Sequence, residues 1–481
     1  MKKLLYIILS LLAWSCNKDL GNYSYSDLND VIISNIDELY TVDAGTSLHI
    51  NPKIDFLLDQ NSNEDDYLFE WLFVRFEGYN SEIPDVISES KNLVFDVTDD
   101  YQGITEFTFR VTDKKTGVYY DKNFKIHTIT KIYEGYFVLS ESTNQEASLD
   151  YISYDYKIDN FVMIRNVIDE YGNREKIQGR PNFIHSGSGL ILGTTSRTTN
   201  LFRNGLFGLY DGWDIRVNFL PIPNSLGTRY WGVGLGLLAS NNGVYSPNDI
   251  YRLISKMSTN GAPFKASQYV SRDIYGTDGI LFNEDASEFV YYAGTHKTYC
   301  DRLNGNNKYF DYRIDKDLIY MRYVYYNGGS TFALLKDKVG DKVYLARFTS
   351  KEQLNFREIT GSLLHKADLV DFNDKYGYIH YSVGSKVYTY DFNIGSNVLI
   401  ADYGERKISL LKVNNLDFYG KRSTSRKQDL SKDLVVCTYQ ESNVNGSGIM
   451  DVYSIKPLNA VPSKLESFDG FNKIVSTTYF H

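Results

Sequence analysis

The stretch Ile280–Gly294, ILFNEDASEFVYYAG, recurs in this chain, and its recurrence constrains the fold more than any other feature. Laid over Leu369–Ser382, LVDFNDKYGYIHYS, it sets Phe282 on Phe372, Asn283 on Asn373, Glu284 on Asp374, Phe289 on Ile379 and Tyr291 on Tyr381. A third copy, Asn182–Gly193, NFIHSGSGLILG, sets Ile184 on Phe282 and Ile191 on Phe289. In each copy an apolar strand end runs into a polar turn, followed by alternation of large apolar and smaller or polar residues. That is the pattern of a β-hairpin. A unit recurring at roughly fifty residues cannot bury its own apolar face and must stack on its neighbours, and strands without intervening helices make that stack a β-propeller.

At 481 residues the chain exceeds the size at which one core stops growing, so at least two domains are expected. Aromatics form 15% of it, with 41 Tyr, which is an all-β composition. A net charge of -9 and a pI near 5.4 exclude a protein that tracks nucleic-acid phosphates.

Residues 1–15, MKKLLYIILSLLAWS, carry two lysines, a short apolar run and small residues before Cys16, as a secretory signal peptide does. The run is too short to span a bilayer. A Cys directly after it matches a bacterial lipoprotein signal, so Cys16 is the expected lipid anchor. Residues 16–30 read as a polar tether.

Residues 31–130 carry six strand candidates separated by turn-rich segments, the pattern of an immunoglobulin-type β-sandwich. Trp71 in YLFEWLFV is placed as its core tryptophan, and Phe107, Phe109 and Val111 alternate inward. From Lys131 to His481 the spacing changes to that of a propeller. Its inner strands and their partners read as Gly135–Ser140 with Leu149–Tyr154, Leu190–Thr194 with Leu206–Tyr210, and Val233–Ala239 with Ile250–Ile254. Then follow Phe289–Gly294 with Thr298–Leu303, Phe332–Lys336 with Val343–Phe348, Tyr378–Val383 with Lys386–Phe392, and Leu434–Tyr439 with Ile449–Ile455. Seven pairs give seven blades, or six or eight if an irregular stretch is misread. The remaining Phe468–Phe480 reads as one strand without a local partner, expected to pair with Ile132–Val138 and remove the open edges.

With CNKDLGNYSY after the signal, the sandwich, the propeller and the terminal FDGFNKIV, the chain resembles the PKD-like surface lipoproteins of gut-dwelling Gram-negative bacteria. The resemblance implies a PKD-type sandwich and an outer-membrane, lipid-anchored, surface-exposed location. It also implies a neighbourhood of SusC/SusD-type uptake systems, in which accessory lipoproteins capture nutrients. It carries over no catalytic residue.

Chemistry-bearing motifs are sparse. The seven His are scattered without HExxH or CxxC, so no metal site is expected. Asp371-x-Asn373 starts like a calcium loop, but Lys375 and Tyr376 break the pattern and make it a strand-entry turn. No nucleotide or cofactor fingerprint appears, and Gly232–Ser240, GVGLGLLAS, lacks a following helix. Cys300 and Cys437 are expected as buried free thiols. The strongest recognition stretch is Arg197–Trp231, which gathers Trp213, Trp231, Tyr230, Arg229, Arg216 and Arg203 among turn residues. Aromatic faces suit sugars or peptides and arginine suits carboxylates, while inter-blade packing is the structural alternative. The basic loop Asp417–Asp433 reads as a solvated segment. These readings make a non-enzymatic surface lipoprotein that binds a glycan or peptide or docks on an uptake complex. The competing reading is a propeller glycoside hydrolase or polysaccharide lyase with carboxylates on the axis.

Overall fold

The computed structural model describes residues 30–480 except 59–62, 75–83, 99–100, 102, 130–133, 156–157, 159, 172–173, 187–188, 204–205, 220–227, 232–236, 241–242, 249, 273–277, 295–296, 304–306 and 415–432. The signal-like segment, Cys16, the tether up to residue 29 and nearly all of the basic loop lie outside the described residues. The chain divides into two compact units, Met1–Thr130 and Lys131–His481. The fold is all-β, and Val167–Tyr171 is the one α-helix among the described residues.

In the first unit a five-stranded sheet has the order Leu39–Asp43, Tyr119–Ile129, Gly103–Asp113, Tyr67–Val74, Pro84–Ser88. Its first pair is parallel and the others are antiparallel. Two further two-stranded sheets pair Val31–Ser34 with Lys53–Phe56 and Thr46–Ile50 with Leu93–Val97. Period-2 alternation sends Phe107, Phe109 and Val111 inward to meet Leu48, Ile50, Phe95 and Val97 in a shared core. Thr108 and Arg110 point outward, where Arg110 grips both oxygens of Asp121 at 2.8 Å. Trp71 is fully buried, 4.3 Å from the Phe109 ring centroid, and its indole nitrogen donates to the Ser90 carbonyl at 2.8 Å. The core role read from its apolar flanks holds.

The second unit contains seven sheets among the described residues. Sheet 1 has the order Asn160–Ile164, Ala147–Asp155, Gly135–Glu141, Lys473–Phe480. Sheet 2 runs Pro181–Ser186, Leu190–Thr194, Thr198–Arg203, Leu206–Phe207, and sheet 3 runs Thr228–Trp231, Leu238–Ser240, Gly243–Asn248, Ile250–Leu253. Sheet 4 is Gly279–Asn283, Glu288–Tyr292, Asp301–Arg302. Sheet 5 is Lys316–Val324, Ser330–Asp337, Val343–Phe348, Gln353–Ile359. Sheet 6 is Leu369–Phe372, Ile379–Val383, Lys386–Asp391, Ser396–Asp402, and sheet 7 is Lys407–Val413, Leu434–Tyr439, Gly448–Ser454, Ser463–Phe471. Within every sheet the neighbours are antiparallel.

Most of these sheets are apolar on both faces because both faces pack against neighbouring sheets. Gly135–Glu141 is buried at every position. Its Phe137 and Leu139 meet Ile184 and Leu192 of sheet 2, while Tyr136 and Val138 meet Val435, Cys437 and Val452 of sheet 7. Shared cores also join sheets 3 and 4, 4 and 5, 5 and 6, and 6 and 7.

Several strand assignments differ from the sequence reading. The partner of Leu190–Thr194 is Thr198–Arg203, not Leu206–Tyr210. Thr198 and Thr199 are polar yet fully buried, so the strand's first half carries no apolar signature. The partner of Leu238–Ser240 is Gly243–Asn248, not Ile250–Ile254. Pro247 of that strand sits opposite Tyr251, beyond the residues paired with Leu238–Ser240. In the third hairpin copy Ile184 faces Leu192, whereas Phe282 faces Phe289 and Phe372 faces Ile379, so the alignment of Ile191 on Phe289 is one residue out of register. The terminal segment is two strands, not one. Ser463–Phe471 pairs with Gly448–Ser454, and Lys473–Phe480 then crosses to pair with Gly135–Glu141. Phe471 and Ile474 are both buried.

Candidate functional site

The recognition stretch singled out by sequence begins at Arg197, just before the third strand of sheet 2. After Thr198–Arg203 the chain makes two short 3-10 turns, Asp211–Trp213 and Ile215–Asn218, and Asp214 between them is the anchor. Its Oδ1 accepts from the Arg216 backbone N–H at 3.0 Å, capping the second turn, and its Oδ2 accepts from Arg216 Nε at 2.8 Å and meets Nη2 at 2.6 Å. Arg197 Nε lies 3.8 Å from the same oxygen, and Arg197 Nη2 donates to the Tyr210 carbonyl at 2.8 Å. The Thr199 hydroxyl donates to the Trp213 carbonyl at 3.1 Å.

The two guanidinium groups therefore fix the turn. The groups that the turn presents are the half-buried rings of Tyr210 and Trp213, with centroids 4.2 Å apart, and the carboxylate of Asp211, whose side chain is fully exposed. Arg203 lies at the end of Thr198–Arg203, and Arg229, Tyr230 and Trp231 lie in the first strand of sheet 3, with all four side chains outside the described ones. Trp213 and Arg216 are thus brought together on adjacent turns, although Arg216 is committed to Asp214.

A second polar cluster, missed in the sequence reading, lies where the first strands of sheets 5, 6 and 7 run side by side. Arg322 is buried; its Nε donates to Asp371 Oδ1 and its Nη1 to Asp374 Oδ1, both at 3.0 Å, while Nη2 donates to the Phe372 carbonyl. Asp371 Oδ1 also accepts from the Tyr320 hydroxyl at 3.0 Å, and Oδ2 from the Val413 N–H at 2.8 Å. Desolvation pulls the Arg322 pKa down, but Asp374 and Asp371 outweigh it and raise the value above the usual one. Lys412 donates to the Thr477 carbonyl, and burial lowers its pKa against the opposing pull of Asp371. His380, fully buried, shares a hydrogen bond of 2.8 Å between Nδ1 and Thr389 Oγ1. Burial, and secondarily the Arg322 charge, depress its pKa to about 3. Both oxygens of Asp371 are bonded by donors from three sheets, so this arrangement ties strands together. The available signal was Arg322, a charge inside the apolar run IYMRYV.

Asn373 forms the turn expected of it: its Oδ1 accepts from the backbone of Lys375 at 3.1 Å and of Tyr376 at 2.7 Å. Among the described residues no three His, Cys, Asp or Glu side chains group as a metal site would. Cys300 and Cys437 are free and buried, and burial pushes the Cys300 thiol up to about 12. No helix of the described residues is long and apolar enough to cross a membrane.

Residues 16–181 match the model of the PKD-like family, a span that opens on Cys16, runs through the first unit and ends on the first residue of sheet 2. This part of the chain is similar to that family. No curated protein matches the chain. Among solved structures it is similar to a quinonprotein alcohol dehydrogenase-like protein from Bacteroides thetaiotaomicron, at 13% identity over 95% of this chain and 100% of that one, with a TM-score of 0.42. It is also similar to the extracellular domain of a hybrid two-component system from the same organism, at 8% identity over 82% of this chain and 56% of that one, with a TM-score of 0.39. An ACO/RPE65 chimera matches at 7% identity over 73% of this chain and 93% of that one, with a TM-score of 0.42.

Proposed function

We propose that this chain is a non-enzymatic outer-membrane surface lipoprotein, acylated on Cys16, in which an immunoglobulin-like module precedes a seven-bladed β-propeller that captures a glycan or peptide. The observation that carries this reading is the PKD-like match, which opens on the one Cys placed directly after a signal-like segment. The propeller is supported by seven antiparallel sheets, of which 1 and 2, and 3 through 7 and back to 1, are joined by shared cores, with the C-terminal strand paired into sheet 1. Ligand contact is assigned to the turn bearing Tyr210 and Trp213, with Arg203, Arg216, Arg229, Tyr230 and Trp231 as its surround. A SusC/SusD-type transporter is the proposed docking partner.

The test has two parts. Cells fed a clickable fatty acid should label the wild-type protein and leave Cys16→Ala unlabelled and released from membranes, because no described helix can hold it there. Incubation of the purified protein with a panel of host and plant glycans should show binding without bond cleavage. Labelling of Cys16→Ala, or turnover of any glycan, overturns the corresponding half of the proposal.

A further inference from the structure

Arg347 lies in the third strand of sheet 5, opposite Phe332 on one side and Asn355 on the other. Its guanidinium carbon stands 4.8 Å from the centroid of Phe332 and 5.4 Å from those of Tyr326 and Phe392, so three rings surround it. Arg110, Arg197, Arg216 and Arg322 each face a carboxylate. Arg347 faces none among the described residues, its buried Nε has no hydrogen-bond partner, and neither has the buried Oδ1 of Asn355 beside it. Desolvation lowers its pKa, with Tyr326 acting in the opposite direction. A guanidinium remains charged at any physiological pH, so the fold holds a half-dehydrated cation without a counter-ion. Aromatic faces offset part of that cost but leave the planar N–H fork without acceptors.

The rim of this position is built from two turns. Tyr326–Gly328 carries half-buried Tyr326 and exposed Asn327, and the turn of sheet 6 carries half-buried Tyr376, whose ring is stacked 5.2 Å from that of Tyr378. Gly377 packs the turns together: a Cβ there would meet Tyr326 at 2.8 Å and Phe392 at 3.1 Å. A cationic fork beside tyrosine faces and asparagine amides matches an oxyanion on a hydroxyl-rich ring.

We propose that Arg347 is the anion-binding centre of an acidic-saccharide site, taking the carboxylate of a uronic acid or the sulfate of a sulfated sugar, with Tyr326 and Tyr376 flanking the sugar ring. This site is separate from the Trp213 turn and does not depend on it.

Calorimetric titration of the full-length protein with trigalacturonate, a κ-carrageenan tetrasaccharide, which carries sulfate and no carboxylate, and maltotriose tests it. One or both acidic ligands should bind, with affinity falling as salt is raised, and maltotriose should not. The two acidic arms distinguish carboxylate from sulfate. Arg347→Met should weaken binding at least tenfold with an unchanged circular dichroism spectrum, Arg347→Lys should weaken it less, and Trp213→Ala should leave it unchanged. If Arg347→Met does not fold, the Arg347→Lys comparison and the acidic-versus-neutral contrast on the wild type decide. Absence of binding by both acidic ligands, equal binding of maltotriose, unchanged affinity in Arg347→Met or Arg347→Lys, or binding of an acidic peptide in place of the saccharides would each overturn the proposal.

Discussion

His380 occupies a position where a histidine carries a measurable cost. It lies opposite Asp371 on one side and Thr389 on the other, and its folded pKa of about 3 compares with 6.5 in an open chain. The unfolded state therefore takes up a proton that the folded state refuses, so the contribution to stability is complete above the unfolded pKa and is lost as pH falls from about 6.5 toward 3. By pH 4.5 the loss should be about 2 to 3 kcal/mol. Urea unfolding at pH 7.5 and 4.5 should show it in the wild type and not in His380→Gln; parallel pH dependence in the two would assign the effect to other groups. Arg322 predicts a different loss. Arg322→Met removes the cation bonded to both Asp371 and Asp374 in a buried setting, which should cost about 3 to 5 kcal/mol at neutral pH. Adding Asp371→Asn should recover part of it, and additive losses would rule out the network as the cause.

At the scale of the hairpin, the repeated Asn is the legible part. Asn283 and Asn373 hold equivalent turns through their side-chain oxygens, Asn283 accepting from the Ala286 N–H at 3.2 Å. Four residues on, the chain turns left-handed at both equivalent positions, Ser287 with φ 47 and Gly377 with φ 74. Gly377 also has no room for a Cβ beside Tyr326, so Gly377→Ala combines backbone strain with a clash and should destabilise by about 1 to 3 kcal/mol. Equal melting temperatures for Gly377→Ala and the wild type would mean that the two turns part without cost. The elements that escaped sequence reading did so for the converse reason. Thr198–Arg203 buries Thr198 and Thr199 against polar partners, and Gly243–Asn248 places Pro247 in the outer part of a sheet; in both, tertiary contacts override the local pattern.

For the whole molecule, the decisive element is Lys473–Phe480. It is buried along most of its length and supplies Ile474 and Tyr479 to the core shared by sheets 7 and 1. Burial of those two side chains alone is worth about 3 to 6 kcal/mol, or about 4 to 8 degrees in melting temperature for a unit of this size, so deleting Lys473–His481 should lower the melting temperature of the second unit by at least that much or abolish its folding. The first unit has its own core around Trp71, so its near-ultraviolet signal should survive the deletion. An unchanged thermogram would refute the role assigned to this strand. The amino-acid sequence alone determined the all-β character, the hairpin repeat, the core position of Trp71 and the apolar alternation of the last segment, because side-chain period and turn chemistry are local properties. Only the tertiary structure decided that this segment changes partner at Asn472, that Asp371 is bonded to Arg322, and that Arg347 has rings but no carboxylate around it among the described residues. Each depends on residues far apart in the chain arriving on adjacent sheets, and local period carries no information about which charges then meet.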